Sequence, residues 1–97
     1  MRFSIEKNDQ NILMRMRRLG YAPYRNRQGN ESFVKRIQGN DFPRFHLYIN
    51  KEDGTELNCS IHIDHTAPVY SKGRAHRGDY ESPVLSAEVA RIRKTNA

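Results

Sequence analysis

The 97-residue chain has 17 Lys/Arg against 11 Asp/Glu, a net charge of +6 and 36% hydrophobic content. A chain of this size buries roughly 60–65% of the surface its unfolded form exposes, enough for one thin core, so the expected fold is a single α+β domain over residues 1–97. No apolar run approaches the ~18 residues of a membrane span, the N-terminus lacks the order of a signal peptide, and the single cysteine, Cys59, has no disulfide partner, so membrane association is not expected and the cytoplasm is.

In chain order, residues 8–19 read as an amphipathic helix. Ile12, Leu13, Met16 and Leu19 recur at the spacing that lines one face, with Met14 off the stripe. Asn8 is the expected cap, and Gly20 the left-handed residue that ends the helix with Tyr21 folded back on its last turn. Tyr21 to Arg27 and Ser32 to Gln38 flank Gln28-Gly29-Asn30 and read as a hairpin; Pro23 makes its first strand an edge. After a turn at Gly39-Asn40-Asp41, Phe45, Leu47 and Ile49 alternate with polar residues, as do Leu57, Cys59, Ile61 and Ile63.

Core residues must oppose core residues across such a ladder, because a one-residue slip turns every side chain over. A three-residue loop Glu52-Asp53-Gly54 with Gly54 left-handed satisfies that rule. It pairs Ile49 with Leu57, Leu47 with Cys59 and Phe45 with Ile61. His46 and His62 then become diagonal neighbours on the surface away from the core, with Asp64 beside His62. Residues 66–83 form a long loop of the length that is usually functional or disordered; it carries His76, Tyr70 and Tyr80. Ser82-Pro83 starts a second helix with Leu85, Val89 and Ile92 as its apolar stripe. The whole is three to four antiparallel strands packed against two helices, in the order α-β-β-β-(β)-α.

Charge is uneven along the chain. Residues 1–50 hold ten Lys/Arg and four Asp/Glu, a difference of +6, whereas residues 51–97 hold seven of each. Arg15, Arg17, Arg18, Arg25, Arg27, Lys35, Arg36 and Arg44 are the candidate phosphate contacts of a nucleic-acid-binding protein, with RNA the favoured partner. All four histidines lie between residues 46 and 76. His46, His62, Asp64 and His76 are the candidate ligands of a divalent transition metal (zinc, manganese, nickel or iron). The same residues without metal suit general acid–base chemistry on a phosphodiester. Alternatively they are ordinary strand residues, with Asp64 neutralised by Arg44 or Arg77. Cys59 points into the core, and no nucleophile motif or phosphate loop is present. Tyr48, Tyr70 and Tyr80 would suit a protein-interaction surface.

Arg17-Arg18-Leu19-Gly20-Tyr21, a Gly-centred hairpin and a later His-Leu-Tyr-Ile strand resemble the layout of HicA-type mRNA interferase toxins over residues 8–50, and more distantly double-stranded-RNA-binding domains. HicA proteins carry their catalytic histidine directly after the Gly-centred turn; Gly29-Asn30-Glu31-Ser32 has none, so that activity does not transfer. The basic start of a second helix, by which the RNA-binding domain grips phosphate, is also missing from Ser82 to Glu88. Over most of its length the chain is similar to short uncharacterised bacterial proteins with a Phe-His strand, a His-x-Asp strand and a His-x-Gly-acid-Tyr loop. The matching positions are Phe45-His46, His62-Ile63-Asp64 and His76-Arg77-Gly78-Asp79-Tyr80. That resemblance implies that His46, His62, Asp64 and His76 belong together, and it brings no activity. The expectation is therefore a nucleic-acid-associated protein with a His/Asp surface site, or a metal-binding or metal-dependent hydrolytic protein.

Overall fold

The computed structural model describes residues 1–66, 78–79 and 81–95. Its elements are β1 (Arg2–Glu6), α1 (Ile12–Arg18), β2 (Ala22–Arg25), β3 (Glu31–Arg36), β4 (Arg44–Asp53), β5 (Glu56–Asp64), β6 (Gly78–Asp79) and α2 (Pro83–Lys94). The class is α+β. Five strands follow the spatial order β1-β5-β4-β3-β2, every pair antiparallel, and the two-residue β6 adds to β5 beyond the end of β1.

The expected order is corrected at its start: a strand precedes the first helix. Phe3 and Ile5 alternate with Arg2, Ser4 and Glu6, a short but complete strand pattern. β1 pairs with β5 through Phe3 opposite Cys59 and Ile5 opposite Leu57, so its two apolar residues enter the core. The helix α1 is shorter than the pattern suggested. Asn11, not Asn8, caps it by accepting the Met14 amide at 2.8 Å, while Asn8 accepts the Gln10 amide instead. Met16 and Leu19 are buried, and Leu13 is left 38% exposed, because a seven-residue helix presents only two turns to the sheet. Gly20 ends it at φ +97°, with the Tyr21 amide returning to the Met16 carbonyl and the Gly20 amide to that of Arg17. Ser82 caps α2 by accepting the Leu85 amide at 3.2 Å, and Leu85, Val89 and Ile92 line its buried side.

Both helices cover the face formed by Phe3, Ile5, Phe33, Phe45, Leu47, Leu57, Cys59, Ile61 and Ile63. A second network ties them together. The buried Tyr21 hydroxyl donates to Glu88 at 2.7 Å, and Arg91 donates to the same carboxylate at 2.9 Å and to the Leu19 carbonyl at 2.8 Å. Burial pushes the Tyr21 phenol far above its usual range, reinforced by the Glu88 carboxylate that accepts its proton. Burial alone would also raise Glu88, but the bonds from Arg91 and Tyr21 outweigh it and hold its carboxyl below the usual range.

The register of the central hairpin differs from the expected one by two residues. Phe45 opposes Ile63, Leu47 opposes Ile61 and Ile49 opposes Cys59. The strands extend to Asp53 opposite Glu56, leaving Gly54-Thr55 as the loop, with Gly54 at φ +58°. A two-residue loop alone would turn the apolar residues of β4 to the wrong face. An irregularity between Ile49 and Lys51 leaves Asn50 as the extra residue and restores the alternation. Core still opposes core, as the rule requires, but a bulge achieves it and not a longer loop.

Candidate functional site

On the sheet face away from the helices, that register sets four polar residues in a two-by-two grid. Arg44 stands opposite Asp64, and His46 opposite His62. His46 and His62 are thus direct partners across the ladder, correcting the expected diagonal placement. Asp64 reaches three of its grid neighbours. His46 Nδ1 lies 2.8 Å from Oδ2, His62 Nε2 lies 2.7 Å from Oδ1, and Arg44 Nε donates to Oδ2 at 3.1 Å. One donor atom from each of His46, His62 and Asp64 lies within 4.8 Å of the others.

Burial would raise the Asp64 pKa, but the hydrogen bonds from both imidazoles, and their charge, hold the carboxyl far below the usual carboxylate range. It is therefore ionised and acts only as an acceptor, so both nitrogens facing it carry protons. In the neutral imidazole, His46 Nε2 is then an acceptor, and the Ser32 hydroxyl lies 2.7 Å from it. The same hydroxyl lies 3.4 Å from the Tyr24 carbonyl. Aromatic rings complete the setting. Tyr48 stacks on His46 at 4.5 Å and on His62 at 5.6 Å, and Tyr24 meets His46 edge-on at 5.6 Å.

This is not the exposed surface the strand pattern suggested. His46 is 6% exposed, Ser32 3% and Arg44 9%. The correction has a physical cause: β2 and β3 bring Tyr24 and Ser32 over His46, and an alternating strand reads as solvent-facing only when nothing covers that face. The order Ser32–His46–Asp64 matches the hydrogen-bond order of a serine hydrolase triad. Ser32, however, is buried near the start of β3, opposite Tyr24 in the ladder. Its hydroxyl is already taken up between His46 Nε2 at 2.7 Å and the Tyr24 carbonyl at 3.4 Å, an arrangement that orients the His46 ring.

No motif in the sequence marks Ser32 and Tyr24 as neighbours of His46. Their signal lies in the β3–β4 register, which places Val34 opposite His46 and so Ser32 diagonal to it. The turn between those strands is too long to dictate that register. His76 lies outside the described residues, as do Arg77, Tyr70 and Tyr80. Gly78 of the same motif pairs with Asp64 and Asp79 with Ile63.

The candidate phosphate contacts do not share this face as a group. Arg15 is buried and donates to the Glu6 carbonyl at 2.9 Å. Arg44 belongs to the Asp64 grid. Arg25 is paired with Glu31 at 3.7 Å and Arg36 with Asp41 at 2.9 Å. Lys35 stands 5.8 Å from the centre of the Phe45 ring on the helix side. Arg17 and Arg18 are exposed on α1, behind the sheet from His46, and Arg27 is exposed at the β2–β3 turn. Cys59 is in the core, its thiol pushed up to about 11 by burial, as its inward position implied. Among the described residues no helix is long and apolar enough to cross a membrane.

No protein-family model, curated protein or solved structure matches the chain.

Proposed function

We propose that His46, His62 and Asp64 hold a divalent transition metal and that the protein is a small metal-binding, metal-dependent hydrolytic protein. The observation that carries this reading is the convergence of two imidazoles and one carboxylate within 4.8 Å. Two nitrogens and one oxygen suit zinc, manganese, nickel or iron, and three protein ligands leave coordination positions free for water or substrate. A cation there takes the place of the imidazole protons aimed at Asp64. Ser32 supports the exchange. When metal takes Nδ1 of His46, the proton moves to Nε2, which donates to the Ser32 hydroxyl, and that hydroxyl turns to the Tyr24 carbonyl. Ligand histidines regularly need such an outer acceptor. A bound ion lowers the pKa of its water and polarises an oxyanion.

Calorimetric titration of the untagged, metal-stripped protein with zinc and manganese, alongside elemental analysis of protein purified without chelators, tests the reading. The expected result is one ion per chain, with affinity at least ~100-fold lower in His62→Ala, more than the loss typical of an outer-shell change. Because metal competes with protons for imidazole nitrogen, binding weakens as the pH is lowered. Protein that takes up neither ion, or a His62→Ala variant that binds like the parent, sinks it.

The second reading is RNA association. It draws on the net charge of +6 and on the adjacent exposed Arg17 and Arg18 of α1. These arginines lie on the opposite side of the sheet from the His/Asp grid, so they hold phosphate independently of any chemistry there. Binding through them weakens steeply as salt rises and is reduced in the Arg17→Ala/Arg18→Ala double variant. Absence of RNA binding at low salt removes this reading and leaves the first intact.

A further inference from the structure

Among the described residues, two buried side-chain polar atoms have no hydrogen-bond partner, Gln10 Oε1 and Arg44 Nη2. Only the second is charged, and only the second adjoins the candidate metal site. Two aromatic rings lie close to the Arg44 guanidinium: its central carbon is 4.8 Å from the centre of the Tyr24 ring and 4.5 Å from that of Phe42. A planar guanidinium donates only outward from its edge. One part of that edge is taken, Nε giving its proton to Asp64 at 3.1 Å. The Arg44 side chain is 10% exposed. A buried cationic donor without a partner is costly, and such groups in folded proteins are accounted for by a bound water, an ion or a functional role.

We infer that Arg44 is the oxyanion-holding group of this site, and that the substrate class is a phosphoryl or phosphonate group which Nη2 binds in its plane beside the metal. This rests on the metal-site reading above, because the charge balance needs it. Arg44 and Asp64 together sum to zero, and an anion brought to that pair gains little. A divalent ion on His46, His62 and Asp64 adds two positive charges at the same carboxylate that Arg44 contacts. The metal and Nη2 then act on one anionic group from adjoining positions, and Asp64 links them.

The chemistry of the side chain selects among anions. A rigid guanidinium edge suits the oxygens of a tetrahedral phosphoryl group, whereas a lysine ammonium would serve only as a point charge. The neighbouring Tyr24 and Phe42 rings and the bond to Asp64 restrain the guanidinium. Nη2 is therefore held in place with its bonding capacity unused.

The test uses the full chain and phenylphosphonate as the probe, with calorimetric titrations run with and without manganese on the wild type, Arg44→Lys and Arg44→Met. The metal titration of each protein is measured separately, and circular dichroism establishes that each is folded. The expected result is phenylphosphonate binding by the manganese-loaded wild type, weakened about ten- to hundredfold in Arg44→Met, the scale of one charged hydrogen bond. Arg44→Lys, which keeps the charge and remains usable if the methionine variant does not fold, falls about tenfold short of wild type for want of the planar edge. Both variants still take up manganese. Equal phenylphosphonate affinity in wild type and folded Arg44 variants overturns the inference, as does manganese-loaded wild type that binds none. If the wild type binds no metal yet takes phenylphosphonate in an Arg44-dependent way, the metal reading fails and the oxyanion role of Arg44 stands.

Discussion

Two acid-centred networks sit on opposite faces of one sheet, and they are built differently. On the helix side, Glu88 accepts from Tyr21 and from Arg91, which also reaches the Leu19 carbonyl; each polar group has its partner, and the network locks α2 to the end of α1. On the other side, Asp64 accepts from His46, His62 and Arg44, yet Arg44 keeps an unpartnered buried nitrogen and the ligand atoms converge on one small volume. Both carboxyls are held below their ordinary range, so pKa alone does not separate them. What distinguishes a brace from a candidate site is residual bonding capacity gathered in one place.

The comparison can be broken most forcefully at Glu88. Glu88→Ala leaves the Tyr21 hydroxyl buried without an acceptor and is expected to lower unfolding stability by about 2–3 kcal/mol in urea denaturation at unchanged m-value. It should leave metal affinity unaltered, since the two networks share no partner. A comparable effect of opposite sign belongs to the Asp64 side. Metal at 100 times its Kd stabilises the fold by about 2.7 kcal/mol. That increment should appear in wild type and in Glu88→Ala, and vanish in His62→Ala; an increment surviving in His62→Ala would place the metal elsewhere.

Ser32→Ala probes a finer distinction. Loss of one neutral hydrogen bond costs about 1 kcal/mol, and a metal ligand deprived of its outer partner loses about tenfold in affinity. A variant that loses stability but no metal affinity would make Ser32 a brace like Tyr21. The mildest effect near neutral pH is the acid limb of stability. Asp64 and Glu88 bind protons less readily folded than unfolded, so their contribution is complete above about pH 4 and is lost as the pH falls below it. Asp64→Asn and Glu88→Gln should each flatten that limb, measured as the unfolding midpoint between about pH 2 and 5. A limb unchanged in Asp64→Asn would mean the carboxylate is not held by the imidazoles in solution.

Much of the fold was legible because it depends on short-range pattern. Gly20 at positive φ, the Ser82 cap and the inward Cys59 each follow from local chemistry. β1 is not legible in the sequence, because its five residues carry only two apolar side chains, too few to stand out without their partner β5. Within the site, His62 and Asp64 share a face by alternation alone, and His46 joins them by the rule that core opposes core. The burial of that face could not be read the same way. Ser32 and Tyr24 reach His46 through a pairing set by the connection of β3 to β4, and no local signal fixes its length.

By itself, then, the sequence determined which side chains turn away from the core, since a strand has a period of two and the apolar set must be inward. It did not determine which of them meet. Moving the register by two residues leaves every face unchanged, so hydrophobic pattern is blind to it. The Gly54-Thr55 turn and the bulge at Asn50 chose between the two registers. That choice alone put His46 opposite His62 and Arg44 opposite Asp64, turning a row of polar residues into a site.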